Sequence, residues 1–159
     1  MSEMLGNQYF MARKFSLAEA ELLDFISKNE TAKAAKKKLI ICHIQTGKIE
    51  KALKIFIELL KEDISFIINT NPDKDDCPCP ELVTKIENEN NKAYSISELY
   101  TVLGMLWLYC DINKSVRNFE LAQIHLPKNE DISYALQKIK EHKINGMNLG
   151  VSPEPCVPP

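Results

Sequence analysis

The feature that most constrains this chain is a displacement: a set of small, aromatic and branched positions returns about 34 residues further on. Leu5, Tyr9, Phe15, Ala18, Leu22 and Phe25 recur as Leu39, His43, Ile49, Ala52, Phe56 and Leu59. A unit of that length cannot bury its own apolar face and must stack on a neighbour. Within the unit the spacing is helical, with Ala18, Leu22, Phe25 and Ile26 at i, i+4, i+7 and i+8. The link between the first two helices is only two or three residues, which forces an antiparallel hairpin.

Taken in order, the chain predicts a first helix over residues 2–13, and Ser16 with Glu19 is spaced as a capping box for the second. Ala35, Leu39, Cys42, His43 and Thr46 line a third helix, ended by a left-handed Gly47. The stripe that starts at Ile49 continues through Ile64, Phe66, Ile67 and Ile68 to about Asn69, and Asn71-Pro72 stops it. A polar linker (NTNPDKDDCPC) leads to Pro80, suited to open a short helix edged by Leu82, Val83 and Ile86.

Ser95 and Glu98 form a second capping-box pattern before Leu99, Val102, Leu103, Leu106, Trp107 and Cys110. After a turn at residues 111–113, Val116, Phe119, Ala122 and Leu126 return, stopped by Pro127. Asn129 caps a last helix, with Glu130 and Asp131 in its first turn and Lys140, His142 and Lys143 in its last, an order that complements the helix dipole. Its single stripe of Ile132, Ala135, Leu136 and Ile139 suits a terminal cap. The expected class is all-α with about eight helices.

The repeated positions, with Tyr100, Leu103-Gly104, Trp107, Ser115, Phe119 and Pro127 as a third copy whose turn is one residue shorter, resemble the tetratricopeptide repeat. The resemblance implies a right-handed superhelix of antiparallel helix hairpins. It covers residues 1–144: hairpins 1–29, 31–69 and 95–127, an inserted linker and helix at 70–94, and a capping helix at 129–144. Residues 145–159 read as a flexible, proline-rich tail. Leu39-Ile40 and His43 depart from the pattern. The step from Leu39 to Leu103 is also almost twice the step from Leu5 to Leu39. That excess is either a degenerate hairpin or an interruption.

In proteins of this family the first helix of each hairpin lines a concave groove for a peptide or helix. The resemblance carries that role to Asn7, Phe10 and Met11, to Lys37, Ile41, Ile44 and Gln45, and to Thr101, Met105, Leu108 and Tyr109. Glu3, Glu98 and Val102 stand where a carboxylate clamp would need basic or amide groups, so that variant is rejected. The mostly apolar set reads as a docking trough for a protein segment or as a trough the chain fills with its own insert or tail.

Catalytic and metal patterns are weak. No Ser-His-Asp order, glycine-rich phosphate loop or paired carboxylates is evident, so a non-enzymatic protein without cofactor is expected. Cys77-Pro-Cys79 lacks the second half of a zinc site. It is kept as an alternative metal- or redox-responsive element, beside a third reading as a homo-oligomer building block. With 20 basic and 22 acidic residues dispersed along the chain, no nucleic-acid stripe builds up. Lys36-Lys37-Lys38 reads as a solvated face. No signal peptide is read, and apolar runs such as Leu103 to Cys110 fall far short of the ~20 residues of a membrane span. A cytoplasmic protein that meets other proteins, or a second copy of itself, is the expectation.

Overall fold

The computed structural model describes residues 2–71, 73–75, 77–88 and 93–148. It is all-α, with eight helices and no strand among the described residues. They are α1 (Ser2–Met11), α2 (Phe15–Lys28), α3 (Lys33–Gln45), α4 (Ile49–Ile68), α5 (Cys79–Asn88), α6 (Ile96–Leu108), α7 (Ile112–His125) and α8 (Glu130–Asn148). The chain divides into two compact units, Met1–Glu62 and Asp63–Pro159.

In the first unit α1 packs on α2 and α2 on α3. Phe10, Ala18, Leu22, Leu39, Ala52, Phe56 and Leu59 are buried, and each large one stabilises the fold by roughly 1.5–3 kcal/mol. The displacement seen in the sequence is repeated in the backbone. After α1, Arg13 N–H donates to the Phe10 carbonyl (3.0 Å) and Lys14 N–H to that of Tyr9 (2.8 Å). After α3, Gly47 N–H donates to Ile44 (3.2 Å) and Lys48 N–H to His43 (2.8 Å). Both are Schellman closures, and both central residues are left-handed, Arg13 at φ 60° and Gly47 at φ 79°. The next helix then opens the same way each time, Ala18 N–H on Lys14 and Ala52 N–H on Lys48.

Three local expectations are corrected. Ser16 does not cap α2: the N-cap is Lys14, without a side-chain bond, and Glu19 is turned to other partners. The stripe from Ile49 is not one continuous helix, because Asp63 (φ −166°, ψ 90°) has extended backbone and breaks α4. With that break, helical segments open at Ser2, Lys33, Ile64, Ile96 and Glu130, a nearly even spacing close to the repeat length. Ile64–Ile68 and α5 thus occupy one repeat length. Lys36 is no solvated residue either: it is buried, with its ammonium 2.5 Å from Glu62 Oε1.

In the second unit α5 and α7 both pack on α6, and α8 packs on α7. The Ser95–Glu98 capping box forms in both directions. Asp111 caps α7 by accepting from Asn113 and Lys114 N–H, and Asn129 Oδ1 accepts from Ile132 N–H at the start of α8. That helix runs on to Asn148, so Lys140, His142 and Lys143 lie before its last turn and residues 145–148 are helical rather than tail. Residues 149–159 lie outside the described residues. At the α6–α7 crossing Gly104 lies under Phe119, where a Cβ would stand 2.9 Å from three ring atoms, and Ser115 Oγ donates to the Gly104 carbonyl (2.6 Å).

Candidate functional site

The groove positions implied by the resemblance divide sharply by exposure. Phe10, Ile41, Ile44, Thr101, Met105, Leu108 and Tyr109 are buried. Met11, at 63% exposure, and Gln45 face solvent, while Asn7 and Lys37 are half-buried. The accessible members all lie on α1 and α3 of the first unit, two helices in contact. Asn7 Oδ1 accepts from Lys38 Nζ (2.8 Å), and the same ammonium stands 5.9 Å from the Phe10 ring centroid. Phe10 is packed edge-on by Phe15. The burial of α6 beyond its first turn has a readable cause: every residue from Thr101 to Tyr109 is enclosed, as expected of a stretch that is apolar on nearly every side.

A polar cluster that no local pattern revealed ties α2 to the turn after α3. The Glu19 carboxylate accepts from Thr46 Oγ1 (2.6 Å) and is paired with Lys48 Nζ. Burial alone would raise the Glu19 carboxyl, but the bonds from Lys48 and Thr46 and the charges of His43 and Lys48 outweigh it and hold it below the usual carboxylate range. His43 Nδ1 lies 3.5 Å from Glu19 Oε2, too far for a bond, and has no hydrogen-bond partner. Burial lowers the His43 imidazole, Glu19 opposes, and Lys48 and Lys51 add to the lowering, so a neutral ring is favoured. The packed histidine expected in the aromatic slot is present, with its Nδ1 facing Glu19 unbonded. Next to it, burial and the Glu19 charge push the Cys42 thiol up to about 12. The partners lie 27 and 29 residues from Glu19, which is why the sequence reads that residue as a local cap.

In the second unit Trp107 Nε1–H donates to Glu87 Oε1 of α5 (2.8 Å), and Lys114 Nζ lies 4.2 Å from its ring centroid. Cys77 and Cys79 are joined by a disulfide at the start of α5, and both are buried. His125 stacks on Tyr100 with centroids 5.7 Å apart. Among the described residues no three His, Cys, Asp or Glu side chains group as metal ligands, and no helix is long and apolar enough to cross a membrane. Comparison with protein-family models, curated proteins and solved structures returned no match.

Proposed function

We propose that this chain is a non-catalytic interaction module of the tetratricopeptide kind, an adaptor that holds a peptide or helix from another protein. One observation carries the reading: the same left-handed turn, with the same hydrogen bonds, recurs one repeat apart at Arg13 and Gly47. The near-constant spacing of helix openings supports it, since a degenerate repeat then accounts for the excess between the second and third copies. Repeat packing is scaffold chemistry, so the function follows by resemblance to a family whose members bind proteins. A protein partner is preferred to nucleic acid by the balanced, dispersed charge, and the cytoplasm is the proposed compartment.

The contact surface proposed is the accessible remainder of the groove set, Asn7, Met11, Lys37 and Gln45 on α1 and α3. Met11 is unbranched and polarizable, a side chain that adapts to apolar partners. Partners recovered by pull-down from native lysate should be lost from a Met11→Glu/Gln45→Glu chain whose circular dichroism and thermal midpoint are unchanged. Retention of every partner by that folded variant would sink the reading, and light scattering of the pure chain separates binding to a second copy from binding to another protein.

A further inference from the structure

We infer that Cys77–Cys79 is a thiol-exchangeable disulfide whose oxidation state decides whether α5 stays seated on α6. The bond joins residues two apart, so it closes almost the shortest loop possible and removes little entropy from the unfolded chain. Its reach is local. It fixes the backbone where α5 begins: Cys79 is the first residue of the helix, the Pro78 carbonyl accepts the Leu82 N–H (3.0 Å), and Cys79 N–H points at Cys77 Sγ (3.4 Å). α5 has ten residues, fewer than the ~12–15 that hold a helix in water unaided. It depends on its fixed first turn and on its contact with α6, made by an apolar edge that includes buried Val83 and Ile86 and by the Glu87–Trp107 hydrogen bond.

The two sulfurs are not equivalent. Cys77 is 9% exposed and Cys79 is fully enclosed, so an incoming thiolate meets Cys77. The leaving sulfur is then Cys79, at the N-terminus of α5, where the helix dipole favours a thiolate and makes it the better leaving group. The co-reactant is a dithiol. One of its sulfurs attacks Cys77 Sγ, the bond between the cysteines breaks, and its electron pair departs on Cys79 Sγ. The second sulfur of the dithiol attacks the first, expels Cys77 as thiolate, and the reagent leaves as its own disulfide. The dithiol's two protons end on the two cysteines, which gain the two electrons it loses. In a reducing compartment this exchange runs toward the two free thiols, and the reverse step needs the oxidised form of the same dithiol.

The test uses the full chain in mixtures of reduced and oxidised dithiothreitol, with Trp107, the single tryptophan, as reporter. Reduction is expected to red-shift its emission and to speed amide exchange over residues 81–88 at least about tenfold, with α7 and α8 unchanged, reversibly on reoxidation. A Cys77→Ala/Cys79→Ala chain should show the reduced signature and ignore the dithiol. Unchanged emission and exchange on reduction would overturn the inference, and so would loss of protection throughout the chain, which would make the bond a global staple. A double variant that still responds would move the effect to another cysteine and overturn it too. Should that variant not fold, the wild-type measurement decides the matter alone.

Discussion

At the crossing of α1 with α2, Gly6 faces Leu22; at the crossing of α6 with α7, Gly104 faces Phe119. The two glycines hold the same place in their hairpins, yet their surroundings differ. A Cβ on Gly6 would meet Leu22 Cδ2 at 3.0 Å and Cγ at 3.1 Å, a side chain that is also fully buried but is met slightly less closely and through a flexible, branched end. On Gly104 it would meet three atoms of a fully buried ring at 2.9 Å, while Ser115 grips the same residue's carbonyl. In the second copy the place is taken by Ile40, itself fully buried. The repeat therefore asks only for a fit between this position and the residue across it, and glycine is one solution among several. The polar contacts differ as well: in the first unit a buried carboxylate cluster ties α2 to the turn after α3, and in the second Ser115 of α7 bonds the Gly104 carbonyl of α6 within one hairpin.

That contrast can be broken most directly at the two glycines. Gly104→Ala should cost about 3 kcal/mol, the upper end of overpacking in a rigid site, even after the helix-propensity gain of about 1 kcal/mol that alanine brings. Gly6→Ala receives the same gain against a softer clash and should lie between no change and a loss of about 1 kcal/mol. Urea midpoints measure both, and a larger loss at Gly6 would overturn the account.

The carboxylate cluster comes next. Glu19→Gln should cost about 2 kcal/mol, the scale of bonds to a charged group. Its pH signature is separable. His43 and Glu19 both titrate lower in the folded chain than in the unfolded one, so the unfolded state binds more protons and stability falls with falling pH. The loss should begin as pH drops through the imidazole's ordinary 6.5 and deepen below the carboxyl's ordinary 4.5. Unfolding curves against pH should lose their upper limb in His43→Phe and their lower limb in Glu19→Gln.

Effects as small as that of Gly6→Ala belong to the twin turns. Gly47→Ala places a side chain at φ 79° and should lose about 1 kcal/mol, whereas Arg13→Gly relieves a left-handed arginine and should gain about 0.5 kcal/mol net of glycine's added freedom when unfolded. Thermal midpoints moving in opposite directions would confirm that the two turns share one backbone, and shifts of the same sign would count against it.

How much of this was legible follows from the range of each interaction. The helices, the left-handed Gly47 and the Ser95–Glu98 box depend on neighbours within a few residues, so their pattern is their cause. Ser16 and Glu19 show the same spacing as Ser95 and Glu98, but Glu19 is claimed by Thr46 and Lys48 from another helix junction. Lys36 is drawn in by Glu62 in the same way. The break at Asp63 interrupts an apolar period that carries on either side of it, and no proline or glycine marks the spot. Of the groove set, Thr101, Met105, Leu108 and Tyr109 could have been recognised as enclosed, since the stretch Val102 to Leu108 has no polar side chain on any face. Nothing comparable in sequence separates exposed Met11 from buried Phe10 beside it.

The Cys42 thiol, pushed up to about 12 by its enclosure and by Glu19, has a use at the bench. At neutral pH such a thiol is protonated almost throughout, and the thiolate is the form that reacts. Alkylating reagents should therefore pass Cys42 by until the first unit opens. In any mass-spectrometric reading of thiol occupancy on this chain, Cys42 serves as an internal clock for unfolding, against which faster labelling elsewhere can be timed.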